Sequence, residues 1–554
     1  MNGHKRSVGV CLCLPALAAF AAWAGCGDSS TLSPEYLEVE RTPAQWTASY
    51  ALEDDAAGVI EFYDQFYNLS VASKNDNHLK AEYQAGYVQG RLSERLIPEA
   101  RDNAIEGAVR EAGLPVELIP PAKPVVEALL GVNLGYSLGW IERCEDAPLR
   151  EKLLGLLYRM RGIARGASGG DPEPLRFDGQ EAFEAGFFPE GELALAYGRD
   201  TATFMDVYFL NAATDLIDIA SRFVPLASLA ERCTAFIKRT PTDLIIAHTT
   251  WTLYSLSVPV RFNLYLNGEY MSVQQLNPGL LCSATDFGYN GHGILFNETT
   301  VSQQGRARNS INALWTFWRA GLAELYSRSM EEFFEYMSLE NSGTYMNGYQ
   351  LGETGSKSFG LVEMDEHVFY FLRPRQGGGH EIVCKPECTD RSYDQTMASD
   401  EYVIGFNYPV ARAVRRSLNY PEEPVDIRYR QLLDRIEGVT DVASAKSVIT
   451  YHDDAVPRSI SSRWDLVPGH PRPGGSVDAK VVSARMLEGL LEKRGVLEPA
   501  LWWGRTDGCW MKFGPPSSGG EPFVWSASQW ADWRHELLPD VMSGQWQMYF
   551  SHVQ

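Results

Sequence analysis

The chain has 554 residues, 45% of them hydrophobic and 22% charged, with 71 acidic side chains against 49 lysines and arginines. A formal charge of -22 argues against nucleic acid as a partner, because binding to phosphate-rich surfaces is driven by Lys and Arg neutralising phosphates. The length exceeds one ordinary domain, yet no low-complexity linker divides it and no internal repeat is visible, so one large unit is expected.

The first element in chain order reads as an export signal. His4, Lys5 and Arg6 precede an almost wholly apolar run from Ser7 to Ala24, followed by Gly25-Cys26. The small-small-Cys ending is that of bacterial lipoprotein signals, so residues 1–25 are expected to be removed and Cys26 to carry a lipid anchor. Trp23 stands where an aliphatic is usual, which keeps an ordinary cleaved signal or a retained anchor as the competing reading. Removal takes away Lys5 and Arg6 and no acid, moving the formal charge from -22 to -24. Membrane contact is then expected through the anchor rather than a basic face, with the protein in the cell envelope, periplasm or outer surface.

From Asp54 to about Ala112 the pattern reads as helical, with apolar residues at three- and four-residue spacing between His78 and Leu96. Prolines cluster at 115, 120, 121 and 124, a second helical stretch covers Pro124 to Met160, and Gly166 to Pro174 reads as a loop. The texture changes at Cys233. Strands are expected at Cys233–Lys238, Leu244–His248, Val260–Leu266, Glu269–Gln275, Leu280–Phe287 and Gly293–Thr300, with Asn267-Gly268 as a type I′ hairpin turn and Thr240-Pro241-Thr242-Asp243 as another. Helices resume at Ser310–Tyr326 and Ser329–Leu339, each opened by a residue able to cap it.

Nine cysteines are present. Cys11 and Cys13 fall in the signal, and Cys384-Lys-Pro-Glu-Cys388 fits a small disulfide loop in an oxidising compartment. Half of a zinc site is the weaker alternative, since only His380 is near and tetrahedral zinc needs more ligands. Gly166-Ala167-Ser168-Gly169-Gly170 matches a serine-hydrolase pattern, but a nucleophile elbow needs a preceding apolar strand and a following helix, and Arg165 and Asp171-Pro172-Glu173-Pro174 supply neither. Metalloprotease, P-loop and dinucleotide fingerprints are missing from the sequence, and no cofactor or metal is expected.

Cys233 opens the apolar strand Cys233-Thr-Ala-Phe-Ile-Lys238, which turns into Leu244-Ile-Ile-Ala-His-Thr-Thr-Trp251. This run resembles the segment that begins the catalytic subunit of the phospholipase B-like (laminin-ancestor) proteins, a branch of the N-terminal-nucleophile hydrolases. Further similar segments follow in order: Asp286-Phe287, Glu298-Thr-Thr300, Asn341-Ser-Gly-Thr-Tyr345 with Asn347, Asn407-Tyr-Pro409, Tyr451-His-Asp453, Ile460-Ser-Ser-Arg463 with Asp465, and Gly475-Ser-Val-Asp-Ala-Lys480. Tyr36-Leu-Glu-Val-Glu40 and Tyr83-Gln-Ala-Gly-Tyr87 resemble the family's opening.

The resemblance implies an α+β fold, a four-layer αββα sandwich, and a precursor cut between Arg232 and Cys233 into an N-terminal chain, 26–232, and a catalytic chain, 233–554. It assigns Cys233 as nucleophile, with its own freed α-amine as base, Asn407 as oxyanion donor and Arg428 as a further catalytic residue, with Arg430 as the fallback. His248, Trp251, Thr299, Thr300 and Asp286 are implied as binding residues. The function implied is hydrolysis of an acyl ester or amide, possible substrates including phospholipid, with no choice between the two bonds. Arg232 stands where the family usually has a small residue, which motivates the alternative of a lipoprotein that never matures and keeps the fold as a binding module. A papain-like peptidase using Cys233 and His248 is disfavoured, because that thiol opens a helix rather than a strand.

Overall fold

The computed structural model describes residues 45–552 except 53–54, 64, 112–113, 185, 222–232, 259, 284–286, 302–309, 376–377, 454–455, 457, 492–503, 517–520, 536 and 544. Residues 1–25, Cys26, Tyr36 to Glu40, Arg232 and Asp286 lie outside the described residues.

The chain enters through three strands, β1 (Gln45–Leu52), β2 (Ala56–Tyr63) and β3 (Phe66–Ser73), paired as an antiparallel meander. The helical reading of the segment from Asp54 therefore fails up to Ser73. Gln65 at φ 75° makes the reversal between β2 and β3, and Gly58 leaves room for Val88 and Leu92 from the helix above. Helices follow: α1 (His78–Leu92), α2 (Leu96–Glu111), α3 (Ile119–Arg143), α4 (Ala147–Ala167) and α5 (Phe204–Ser221). The single stretch expected from Pro124 to Met160 is broken after Arg143, where Asp146 caps α4 by accepting from the Leu149 N–H at 3.0 Å.

Helices α1 and α4 meet along glycines. A side-chain carbon at Gly86 or Gly90 would collide with the Arg159 or Ile163 carbonyl, and one at Gly162 or Gly166 with the Tyr83 or Tyr87 carbonyl. Gly166 is thus an interhelical contact inside α4 rather than the start of a loop. Ser168 is the helix C-cap, its hydroxyl donating back to the Arg165 carbonyl at 2.9 Å.

The remaining strands are β4 (Thr234–Arg239), β5 (Leu244–Thr249), β6 (Trp251–Leu253), β7 (Val260–Leu266), β8 (Tyr270–Leu276), β9 (Phe287–Asn290), β10 (Ile294–Thr300), β11 (Asn347–Glu353), β12 (Phe359–Met364), β13 (Phe369–Pro374), β14 (His380–Lys385), β15 (Tyr402–Gly405), β16 (Gly474–Ser476), β17 (Asp478–Ser483), β18 (Gly504–Phe513), β19 (Phe523–Val524), β20 (Val541–Met542) and β21 (Gln547–His552). Helices α6 (Thr316–Tyr326), α7 (Met330–Met337), α8 (Arg412–Ser417), α9 (Ile427–Ile436), α10 (Val442–Ile449) and α11 (Ala484–Leu491) fall between them. Asn267 and Gly268, at φ 56° and 70°, make the expected hairpin between β7 and β8. The strand expected at Leu280–Phe287 does not form as such. Pro278 and Gly279 turn the chain, Leu280 to Ser283 carry no strand, and among the described residues the next strand is β9.

Among the described residues, eleven strands form one large sheet, in the order β1-β2-β3-β7-β8-β9-β10-β11-β12-β13-β14, six form a second, smaller sheet, β15-β4-β5-β17-β18-β21, and β16-β6 and β19-β20 make two small pairs. Strands β10 and β11 pack on β4, β5 and β15, so the sheets stack face to face. Helices α1, α6 and α7 cover the outer face of the large sheet, and α10 and α11 that of the small one. The expected four-layer αββα order is the one observed. Strand β3 joins β7 in parallel, placing the N-terminal meander in the same sheet as strands that follow Cys233. Cys384 and Cys388 form a disulfide. Among the described residues no helix is long and apolar enough to cross a membrane.

The glycine contact gives a stability prediction. Gly162→Leu should lower the unfolding free energy by about 3 kcal/mol, because the Tyr83 backbone cannot retreat without separating two helices. Gly135→Ala in α3, where the added carbon meets nothing within 4 Å, should hold or raise the melting temperature. Thermal scans of the two variants beside the parent check both.

Candidate active site

The small sheet begins with a tight turn. Thr240 accepts the Asp243 N–H on its hydroxyl at 2.9 Å, so β4 folds straight back as β5. The ladder then fixes a row across four strands: Gly405 opposite Ala235, Ala235 opposite His248, His248 opposite Lys480. Cys233 and Asn407 lie two residues beyond Ala235 and Gly405 at the end of this ladder, and residues two apart share a face. Register alone therefore brings two positions 174 residues apart in sequence to the same sheet end.

Arg428 ties this end together. It lies in the first turn of α9, is 1% exposed, and its guanidinium rests 4.4 Å over the Trp251 ring. Nη1 donates to the Cys233 carbonyl at 2.7 Å, to Asn407 Oδ1 at 3.1 Å and to Thr234 Oγ1 at 3.3 Å. Nη2 donates to the Phe406 carbonyl at 2.8 Å. Asp426 grips the same guanidinium through both oxygens, at 3.0 Å to Nε and 2.8 Å to Nη2, and also accepts the Arg428 N–H as the cap of α9. A planar fork with five donors suits this set of acceptors, and an ammonium would not.

Asn407 sits at φ 66°, a left-handed conformation that Asn tolerates better than most residues. Its amide donates to the Thr300 carbonyl at 2.7 Å, reaching from the small sheet to the end of β10 in the large one. Thr300 Oγ1 contacts the Tyr345 hydroxyl at 3.3 Å, and Trp251, fully buried, donates its indole N–H to the Ile460 carbonyl at 3.2 Å. Cys233 is a buried thiol outside the disulfide. The structure thus gathers Cys233, Asn407, Arg428, Trp251 and Thr300. Arg430 is exposed, so Arg428 is the arginine of the cluster.

Thr299 and His248 lie one row deeper. Thr299 packs against Gly405, where any side chain would press on its hydroxyl and on the Gln350 amide. His248 is fully buried, its Nε2 donating to the Glu298 carbonyl at 2.8 Å across the two sheets. That bond fixes the neutral tautomer with Nδ1 as acceptor. Burial, reinforced by the Lys480 charge on the neighbouring strand, holds its pKa well below 6.5. Lys480 itself is buried with Asp478 at 3.0 Å and donates to Thr250 Oγ1 at 2.7 Å, while Gln275 donates to Asp478 at 2.7 Å. His248 accordingly bridges the two layers through this bond.

Sequence reasoning missed Asp426. The signal was present, since Asp426-Ile-Arg428 opens a helical stretch with a capping acid two residues before the arginine.

A family model described as phospholipase B matches residues 190–549. Phospholipase B-like 1 of Rattus norvegicus is 24% identical over 61% of this chain and 63% of its own length. Phospholipase-B 81 of Drysdalia coronoides is 25% identical over 53% of this chain and 60% of its own length. Phospholipase B-like protein B of Dictyostelium discoideum is 20% identical over 84% of this chain and 79% of its own length. The chain spans about six tenths of the length of the first two relatives.

The buried His248 predicts a pH effect on stability. Above about 6.5 it is neutral in both the folded and unfolded states and contributes nothing. As pH falls below 6.5 the unfolded state takes up a proton that the folded state refuses, so stability is lost at about 1.4 kcal/mol per pH unit. His248→Gln should shed that slope between roughly pH 6.5 and 5, as measured by urea unfolding across the range.

Proposed function

This chain belongs to the phospholipase B family, and from that premise we propose that it is a hydrolase whose nucleophile is the Cys233 thiol, exposed by a self-cleavage between Arg232 and Cys233. The observation that carries the reading is the clamp of Arg428 on the Cys233 carbonyl and on Asn407, which fixes the main chain of the proposed nucleophile relative to the proposed oxyanion donor.

In the precursor, the Cys233 sulfur attacks the Arg232 carbonyl, the peptide nitrogen leaves as the new α-amine, and water opens the thioester. The freed amine, with an ordinary pKa of roughly 7.7 to 8, is partly unprotonated at neutral pH and stands beside the sulfur of its own residue. The Arg428 charge on the adjacent carbonyl disfavours a second positive charge there, which favours the basic form of the amine; Asp426 offsets part of that effect. In turnover the amine takes the thiol proton, the sulfur attacks the substrate carbonyl, and the acyl group passes to sulfur while the amine returns the proton to the leaving group. Water then releases the acid.

Asn407 donates one amide N–H to Thr300, and its second is the donor this reading needs for the oxyanion, a bond worth roughly 3 kcal/mol in the transition state. The substrate is an acyl ester or amide. The relatives' names favour phospholipid esters, and small N-acyl amides fit the same chemistry. The two proposed pieces have good reason to stay together. Asp215 of α5 accepts the Thr316 N–H at 3.2 Å and the Thr344 hydroxyl, and Asp218 accepts the Tyr345 N–H, binding the helix before the cut to segments after it. Export with an anchor at Cys26 completes the proposal.

Edman sequencing of purified protein should give a piece starting Cys-Thr-Ala-Phe, and Cys233→Ala should stay whole and inactive. A whole, uncut chain with full activity defeats the self-cleavage. Cleaved Asn407→Ala should stay folded with a lowered melting temperature, since it gives up the bonds to Thr300 and Arg428, and should lose about 100- to 1,000-fold in turnover on a lysophospholipid or an N-acyl amide, with little change in KM. Parental turnover in that variant would make Asn407 a turn residue only.

A further inference from the structure

The segment that presents Asn407, residues 406–411, is held from behind by a buried carboxylate. Glu363 of β12, 3% exposed, accepts the Val410 N–H on Oε1 and the Ala411 N–H on Oε2, each at 2.7 Å. Residues 406–408 are tied to Arg428, Thr300, Pro421 and Tyr420, whereas the further ties on residues 409 and 410 lead to Arg415 and Asp394. Arg415 donates Nε to the Pro409 carbonyl at 2.7 Å, lies over the Tyr408 ring at 4.6 Å, and is anchored by Asp394 at 2.8 Å. Asp394 in turn donates its N–H to the Val410 carbonyl at 3.0 Å. Asn407, at φ 66°, stands two residues before this pinned stretch, so its backbone is held by residues 409–411 on one side while Thr300 and Arg428 hold its amide on the other.

We propose that Glu363 is a positioning residue for Asn407, and that protonation of its carboxyl releases residues 409–411 and lowers the competence of the site. The inference rests on the reading of Asn407 as oxyanion donor. It goes beyond that reading by adding a control that touches neither substrate nor thiol.

Two backbone donors need two acceptor oxygens, and only the ionised carboxylate supplies both. A proton on either oxygen turns it into a donor facing an N–H, so one of the two bonds is lost. The groups facing Glu363 are Arg415 of α8, Tyr370 on the paired position of β13 with Asp365 beyond it, and Asp394 behind Arg415. Arg415 and the two N–H groups favour the ionised form, but burial outweighs them and the Glu363 pKa is pushed up to about 7. The folded pKa is raised, so the carboxylate is complete only above pH 7 and is lost as pH falls through it.

Backbone hydrogen exchange tests this without any substrate. In wild-type protein, after correction for intrinsic rates, the protection of the Val410 and Ala411 amides should drop about tenfold between pH 8.5 and 5.5, as one bond opens. In Glu363→Gln, which offers one acceptor and one donor, protection should be low and independent of pH over that range. Turnover of the variant should be about tenfold below wild type at pH 8.5, with KM held, and should lack the wild-type decline near pH 7; the α-amine limb near 8 remains. Equal protection at both pH values in wild type, or wild-type protection in the variant, overturns the proposal. If wild type hydrolyses neither substrate, the exchange result still decides the role of Glu363, and only the hydrolase reading falls.

Discussion

One buried cation organises the candidate site. Arg428 is 1% exposed, and a guanidinium in such a place is stable only when its donors meet acceptors in the right plane. Here the acceptors are the Cys233 carbonyl at the start of β4, the Phe406 carbonyl and Asn407 side chain after β15, and Asp426 at the cap of α9. Three segments distant from one another in sequence or in secondary structure are thereby held to one point, and the Trp251 ring closes the fourth side. Strand register brings Cys233 and Asn407 to one sheet end, and this clamp holds them there. Asp426 matters as much as the arginine, because without it a buried charge would stand uncompensated, a loss of roughly 3 to 5 kcal/mol.

Much of the part that follows Cys233 was legible because local chemistry and tertiary context agree there. The Val260–Leu266 strand, the Asn267-Gly268 turn, the Ser329 cap and the β4–β5 reversal all satisfy their own local rules before any packing is considered. The N-terminal third was harder. Ala56 to Ser73 carries apolar residues dense enough to fit either period, and the reversal at Gln65 uses no glycine or asparagine to announce itself. Gly166 reads in sequence as part of a loop and of a serine-hydrolase pattern, and Gly86, Gly90 and Gly162 carry no packing signal until the opposing backbone is known. Glycine's meaning there lies wholly in what it faces.

The candidate site divides in the same way. Cys233, Trp251 and Thr300 stand at the edges of recognisable strands, and spacing brings them near one another. Arg428, with a helix of its own, was found only through resemblance, since nothing in Ile427-Arg-Tyr-Arg430 separates a buried arginine from an exposed one. Glu363 was invisible for a further reason: it acts on main-chain N–H groups, which every non-proline residue has, so no partner residue marks it in sequence.

The parallel pairing of β3 with β7 has a kinetic side. Tyr67 meets Val260 and Ser73 meets Leu266, so the large sheet closes a loop of nearly two hundred residues, with α1 to α5 and the β4–β5 hairpin inside it. Local hairpins such as β7–β8 form early, whereas a contact of this span must first meet a large loop entropy. On loop entropy alone, the β1–β3 edge is expected to join the sheet after the hairpins have formed. A β7 without that edge would present unpaired backbone donors and acceptors to any passing strand, and a formal charge of -22 disfavours such pairing between copies of the chain.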